Sequence, residues 1–255
     1  EGMSVYSIYF SPTGGTAKVM DIVADVWKAD AQIDLSVLED DYENYQFKQE
    51  DICLFGVPSY GGRVPEAALA RIRRMKAGNA SAVMVVAYGN RAYDDTLLEL
   101  KNELCECGYR VKAAIAAVTE HSIMRQFASG RPDPQDEKEL REYARKIQDS
   151  MAQPGDVELR VPGTVPYREY NGVPFKPKAG SKCTSCGKCA AECPVGAIPK
   201  DAPSTVDEKK CISCMRCVAV CPYGARTLGK VMLLAASQKM KKACSGHKEN
   251  ELFLP

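Results

Sequence analysis

Eight of the twelve cysteines fall within one stretch, Cys183 to Cys221, and they fall in a repeated order. Each repeat reads C-x2-C-x2-C-x3-C-P: Cys183, Cys186, Cys189, Cys193 and Pro194, then Cys211, Cys214, Cys217, Cys221 and Pro222. Three thiolates at that spacing wrap three corners of an iron–sulfur cube, and the fourth, ahead of a proline, is turned toward the other cube. On that rule one [4Fe–4S] cluster takes Cys183, Cys186, Cys189 and Cys221, and a second takes Cys211, Cys214, Cys217 and Cys193. Zinc fits poorly, because it prefers two C-x2-C pairs across a spacer. A disulfide scaffold would spread its cysteines through its loops and follow an export signal. A segment of ~45 residues has little core of its own, so clusters would supply much of its folding energy.

The first 150 residues read differently. Apolar runs at 4–10, 52–57, 82–87 and 111–118 alternate with helical spacing at 16–28, 65–75, 93–107 and 136–150. Ile33, Leu35 and Val37 alternate as a half-buried edge strand would. Short continuous apolar runs suit parallel strands covered on both faces, so five strands and their helices predict a doubly wound α/β sheet. Residues 151–180 hold five prolines and little periodicity, and read as an extended connector. The cysteine segment and its tail occupy 181–255, with a short basic helix over 230–243 and a docked ending. Glu1-Gly2 ahead of Met3 reads as an added remnant.

Three loops at strand ends carry the chemistry of this half, where open α/β sheets bind ligands. Ser11-Pro12-Thr13-Gly14-Gly15-Thr16 follows the first strand and leads into a helix, so hydroxyls and backbone N–H groups converge at a helix N-terminus suited to an anion. It matches neither the G-x-x-x-x-G-K-[ST] loop nor the G-x-G-x-x-G fingerprint. The other loops are Pro58-Ser59-Tyr60-Gly61-Gly62-Arg63 and Gly89-Asn90-Arg91-Ala92-Tyr93-Asp94. Together they resemble flavodoxin, whose phosphate loop reads T/S-x-T-G-x-T; Ser11, Thr13, Gly14 and Thr16 stand in that pattern. The resemblance implies the strand order 2-1-3-4-5 and bound FMN. It implies a ring between Tyr60 and Tyr93, with Gly61 and Gly89 backbone at its polar edge. Gly15, Pro58, Ser59, Gly62, Asn90, Arg91 and Asp94 complete the expected contacts. Arg63 and Arg91 depart from the acidic surround of a flavodoxin and read either as cations near the ring or as solvated ion pairs.

The cysteine segment in turn resembles a two-[4Fe–4S] bacterial-type ferredoxin, a small α+β unit, with every ligand position kept. The whole chain is similar to flavodoxin–ferredoxin fusion proteins of anaerobic bacteria and archaea. That similarity implies an electron-transfer protein that moves electrons between two [4Fe–4S] clusters and FMN and interconverts one- and two-electron steps. A flavin-dependent reductase of a quinone, nitro compound or dioxygen, with the clusters as internal wire, is the alternative. His121 reads as structural, or as a proton relay to reduced flavin. Cys53 and Cys105 read as core fillers, and Cys107 and Cys244 lack a catalytic partner.

Charge fits two units. Residues 1–150 carry 18 Lys and Arg against 24 Asp and Glu, and residues 151–255 carry 16 against 9. Two clusters with their thiolates add about −4 to the basic part, so the halves still attract. The basic part lacks the interleaved aromatics of a nucleic-acid surface. No apolar run approaches the ~20 residues of a membrane span. No basic-then-apolar leader opens the chain, so a cytoplasmic location is expected. The expected partners are redox proteins, with a homo-oligomer left open.

Overall fold

The computed structural model describes residues 2–255; Glu1, read as part of an added remnant, lies outside them. Five parallel strands form the centre: β1 (Val5–Tyr9), β2 (Ala31–Asp34), β3 (Ile52–Pro58), β4 (Ser81–Tyr88) and β5 (Arg110–Val118). They lie in the order β2-β1-β3-β4-β5, the flavodoxin-like order the sequence implies. Every residue of β4 is buried, as a central strand covered on both faces requires. Between them run α1 (Gly15–Trp27), α2 (Glu66–Ile72), α3 (Thr96–Cys107) and, after β5, α4 (Pro134–Met151).

The period of two divides the core. Leu54, Val83, Val85 and Ile115 face α1 and α4, meeting Val19, Met20, Val23, Leu140 and Ile147. Phe55, Met84 and Val86 face the other way, with Leu69 and Ile72 of α2 and Leu97 and Leu100 of α3. Each such fully buried side chain contributes about 2 kcal/mol. Gly56 lets α1 close on β3, because a Cβ there would stand 2.4 Å from Met20 Cγ.

Three of the boundaries that differ from the sequence reading have a clear local reason. β2 ends at Asp34 because its Oδ1 accepts from the N–H of Ser36 at 2.8 Å and turns the chain. Leu35 is therefore buried while Val37 is 44% exposed. α3 starts at Thr96 rather than Tyr93 because Asp94 has φ +39, which a right-handed helix cannot contain. α4 starts two residues earlier than expected, at Pro134, where Asp133 and Asp136 form a reciprocal capping box.

The connector is extended and lies against α3. Asp95 Oδ2 accepts from the N–H of Arg168 at 2.7 Å, and its Oδ1 accepts from the N–H of Thr164 at 2.9 Å. The cysteine segment holds a two-stranded ribbon, β6 (Lys178–Ala179) with β7 (Arg226–Thr227), and two packed short helices, α5 (Lys188–Glu192) and α6 (Arg216–Val220). Then α7 (Lys230–Cys244) leads to β8 (Glu251–Phe253), which pairs antiparallel with β5. The sheet thus has six strands where the sequence predicts five, and the tail grouped with the cysteine segment supplies the sixth. Among the described residues no helix is long and apolar enough to cross a membrane.

Candidate functional site

The two cysteine repeats fold alike. The residue before the second cysteine of each is left-handed, Ser185 at φ +57 and Ser213 at φ +56. The residue after it is left-handed too, as Gly187 and Met215. Four positions after the fourth cysteine of each repeat the symmetry holds: Ala197 N–H donates to Cys193 Sγ and Ala225 N–H to Cys221 Sγ, both at 3.3 Å. Cys183, Cys186, Cys189 and Cys221 line one cavity, so the fourth cysteine of the second repeat joins the first three of the first. On the other side Cys193, the fourth cysteine of the first repeat, lies within electrostatic reach of Cys214 and Cys217, as does Cys211.

These thiols are unequal. Burial pushes Cys214 up to about 12 and Cys217 to about 11, with the neighbouring cysteines adding to it. Burial acts upward on Cys221 as well, but the N–H groups of Ala225, Tyr223, Arg226 and Gly224 outweigh it and bring that thiol down. Thiolates crowded in this way repel unless cationic iron compensates them. Among the described residues no three His, Cys, Asp or Glu side chains are placed to hold a single metal ion.

A continuous cleft opens at the carboxyl ends of β1, β3, β4 and β5. Its inner part is lined by Ser11, Thr13, Gly15, Thr16, Pro58, Ser59, Tyr60 and Gly89, together with Thr119, Glu120 and Ser122. Ser11 Oγ accepts from the N–H of Ala17 at 2.8 Å and holds the loop against α1. Gly14, at φ +91, has open space where a Cβ would project, and it borders a neighbouring cleft with Lys18 and Arg125. The outer part shares Ser59, Tyr60, Gly89 and Ser122 and adds Gly61, Arg91, Ala92 and His121. Tyr60 and Arg63 exchange backbone hydrogen bonds at 2.9 and 3.1 Å across Gly61 and Gly62, both at positive φ.

Five of the expected contacts line neither part: Gly14, Gly62, Asn90, Tyr93 and Asp94. Tyr93 is 9% exposed, packs edge-on against Tyr88 and donates its hydroxyl to Glu251 of β8 at 2.9 Å. Asn90 is buried, and its amide donates to the carbonyls of Cys244 and Gly246, tying down the chain after α7. Asp94 pairs with Arg91 and, at 2.7 Å, with Arg168, beside Gly62. Arg63 is turned away as well: it bridges to the buried Glu99 and lies over the ring of Tyr167. Arg91 does line the outer cleft, with its charge shared by Asp94.

The outer cleft also has residues that the sequence reading missed. Tyr170, Val173 and Phe175 come from the connector, Ile212 and Ser213 from the loop between Cys211 and Cys214, and Met240 from α7. The ring of Tyr170 covers Gly61 so closely that a Cβ there would lie 2.1 Å from it. Burial pushes the Tyr60 phenol well above its ordinary value, with Cys214 and Tyr170 adding to it. His121 is held neutral, its pKa lowered to about 4 by burial and then by the nearby Arg91 charge. Its Nδ1 accepts from the N–H groups of Ile123 and Met124, both at 3.1 Å, which leaves the ring proton on Nε2.

The family model described as "4Fe-4S dicluster domain" matches residues 182–225. No curated protein matches the chain. Among solved structures, a flavodoxin of Streptococcus pneumoniae TIGR4 is similar at 16% identity, covering 58% of this chain and 99% of its own, with a TM-score of 0.42. The flavodoxin of Megasphaera elsdenii is similar at 19% identity, covering 56% and 98%, with a TM-score of 0.40. Rubredoxin oxygen:oxidoreductase of Desulfovibrio gigas is similar at 13% identity, covering 59% of this chain and 37% of its own, with a TM-score of 0.40. Strand order, not these scores, defines the fold. The sheet has the flavodoxin-like strand order, and the segment that follows it is similar to 4Fe–4S dicluster domains.

Proposed function

We propose that this protein is an electron carrier that holds one FMN and two [4Fe–4S] clusters and passes electrons between them and redox partner proteins. The observation that carries the reading is the joint presence, in one molecule, of a thiol-lined cavity and a cleft at the strand ends behind a hydroxyl-rich loop. Cys183, Cys186, Cys189 and Cys221 would hold one cluster, and Cys211, Cys214, Cys217 and Cys193 the other, in the crossed order. Ser11 to Thr16 would hold the phosphate of FMN at the start of α1, by backbone N–H groups and hydroxyls. Ser59, Tyr60, Gly61, Gly89 and Arg91 would border the ring. When bound, flavin accepts one or two electrons and clusters pass one at a time, which lets a chain of this kind convert between the two.

Residues of the chain fit these roles. Tyr60 and the Tyr170 ring over Gly61 present an aromatic wall. His121 keeps its proton at Nε2 and adds no positive charge to the cleft at neutral pH. Tyr170, Phe175 and Met240 add apolar lining to the outer cleft.

The test is anaerobic reconstitution of the full chain. The expected result is about eight irons with matching sulfide, one FMN, and flavin bands over a broad ~400 nm absorbance. Zinc in the thiol sites with no bound flavin would overturn the reading. Turnover of a quinone or nitro compound well above free-flavin rates would favour the reductase.

A further inference from the structure

The two cysteine quartets stand in different relations to the cleft at the strand ends. Ile212 and Ser213, the only residues between Cys211 and Cys214, form part of its outer lining, together with Tyr60 and Gly89. Independent ties hold that loop and its helix to the sheet domain and connector. Lys176 Nζ donates to the carbonyl of Cys211 and, at 3.2 Å, to Ser213 Oγ. Arg216 of α6 donates to the carbonyl of Pro12, in the loop before α1, at 3.0 Å and to Glu192 at 2.6 Å. From the other side, Arg71 of α2 donates to the carbonyl of Pro194, the residue after Cys193, and to that of Leu35. The quartet of Cys183, Cys186, Cys189 and Cys221 has none of this: every residue around its cavity belongs to the cysteine segment itself, and Cys186 and Tyr223 are exposed.

We propose that the cluster held by Cys193, Cys211, Cys214 and Cys217 is the inner centre, the one that exchanges electrons with the flavin across the wall of Ile212, Ser213 and Tyr60. This inference rests on the preceding reading of which cofactors bind. Each crossing would oxidise the inner cluster and move one electron into the ring. Full reduction of the ring would then take two crossings, with two protons taken from water. The electrons would come from a one-electron donor protein by way of the outer, exposed cluster.

The repeat symmetry supplies a matched experiment on the reconstituted full chain. Ser213→Gly and Ser185→Gly make the same change at equivalent positions of the two loops, and both positions already have the positive φ that glycine takes without strain. The flavin bands of the visible circular dichroism spectrum should shift in Ser213→Gly and stay in place in Ser185→Gly, with iron content unchanged in both. A second readout uses ring-labelled 13C FMN in protein whose clusters are reduced. Paramagnetic broadening of the ring carbons should be lost in Cys214→Ala and kept in Cys186→Ala. Bands that shift only in Ser185→Gly or in neither variant, or broadening lost only in Cys186→Ala, would overturn the assignment while leaving the cofactor reading intact. A wild-type chain that retains no flavin would instead remove the reading on which it rests.

Discussion

Tyr60 and Tyr93 bring the same side chain to neighbouring strand ends and meet opposite surroundings. Tyr60 borders both parts of the cleft, whereas Tyr93 is spent on Tyr88 and Glu251. Replacing Tyr60 by alanine should weaken FMN binding about tenfold, the worth of one aromatic contact of ~1.4 kcal/mol, as read by fluorescence titration. Tyr93→Phe should leave that titration unchanged and cost about 1 kcal/mol of folding stability through its lost hydrogen bond. The hydroxyl-rich loop Ser11 to Thr16 was legible because its residues are consecutive and the turn is local. Tyr170 was not, since it reaches Gly61 from a connector without periodicity. His121 adds a pH dependence whose direction follows from its lowered pKa. The unfolded chain takes up this proton near 6.5 and the folded one only near 4, so His121 favours folding fully above 6.5 and less as pH falls toward 4. Urea unfolding followed by the fluorescence of Trp27, the single tryptophan, should show a decline from pH 7 to pH 5 that is smaller in His121→Gln.

At the scale of elements, α4 and β8 stand or fall together. Asp136, in the first turn of α4, accepts from Arg131 at 2.6 and 2.9 Å and from Asn250 Nδ2 at 2.9 Å, and Asn250 Oδ1 in turn accepts from the N–H of Val118 in β5. Arg131 and Asp136 are both nearly buried, 8% and 4% exposed at the side chain. Asp136→Asn removes the charge that Arg131 needs and should cost about 3 kcal/mol, with β8 released to protease first. Burial alone would raise the Asp136 pKa, but Arg131 and the other donors bring it down to about 2. Its stabilisation is therefore complete above 3.8 and lost as pH falls toward 2, a window below that of His121. The apolar period marked α4 only from residue 136, two residues short of its capped start at Pro134. Three residues, Glu251–Phe253, give no such period, so the sixth strand was legible only as a docked ending.

Across the whole molecule, the two-unit plan and the opposed charges were plain in the sequence, while the joints were not. Arg71 meets Pro194 at a sequence separation of 123 and Arg216 meets Pro12 at 204, both through backbone carbonyls that leave no mark on composition or spacing. Removing iron should therefore separate the parts by stability. With a chelator under oxidising conditions, hydrogen exchange should rise across 181–226, which has little apolar core, and stay slow in β3, β4 and β5, which are buried on both faces. Equal loss of protection in both parts would contradict this. The pairing of β8 with β5 sets an order on synthesis as well. Until Glu251–Phe253 leave the ribosome, β5 presents a bare strand edge of the kind that recruits other chains. All eight clustered cysteines emerge before that edge can be covered, so a nascent chain slow to acquire iron would hold thiols with no metal to bind while its sheet stayed open to aggregation along that edge.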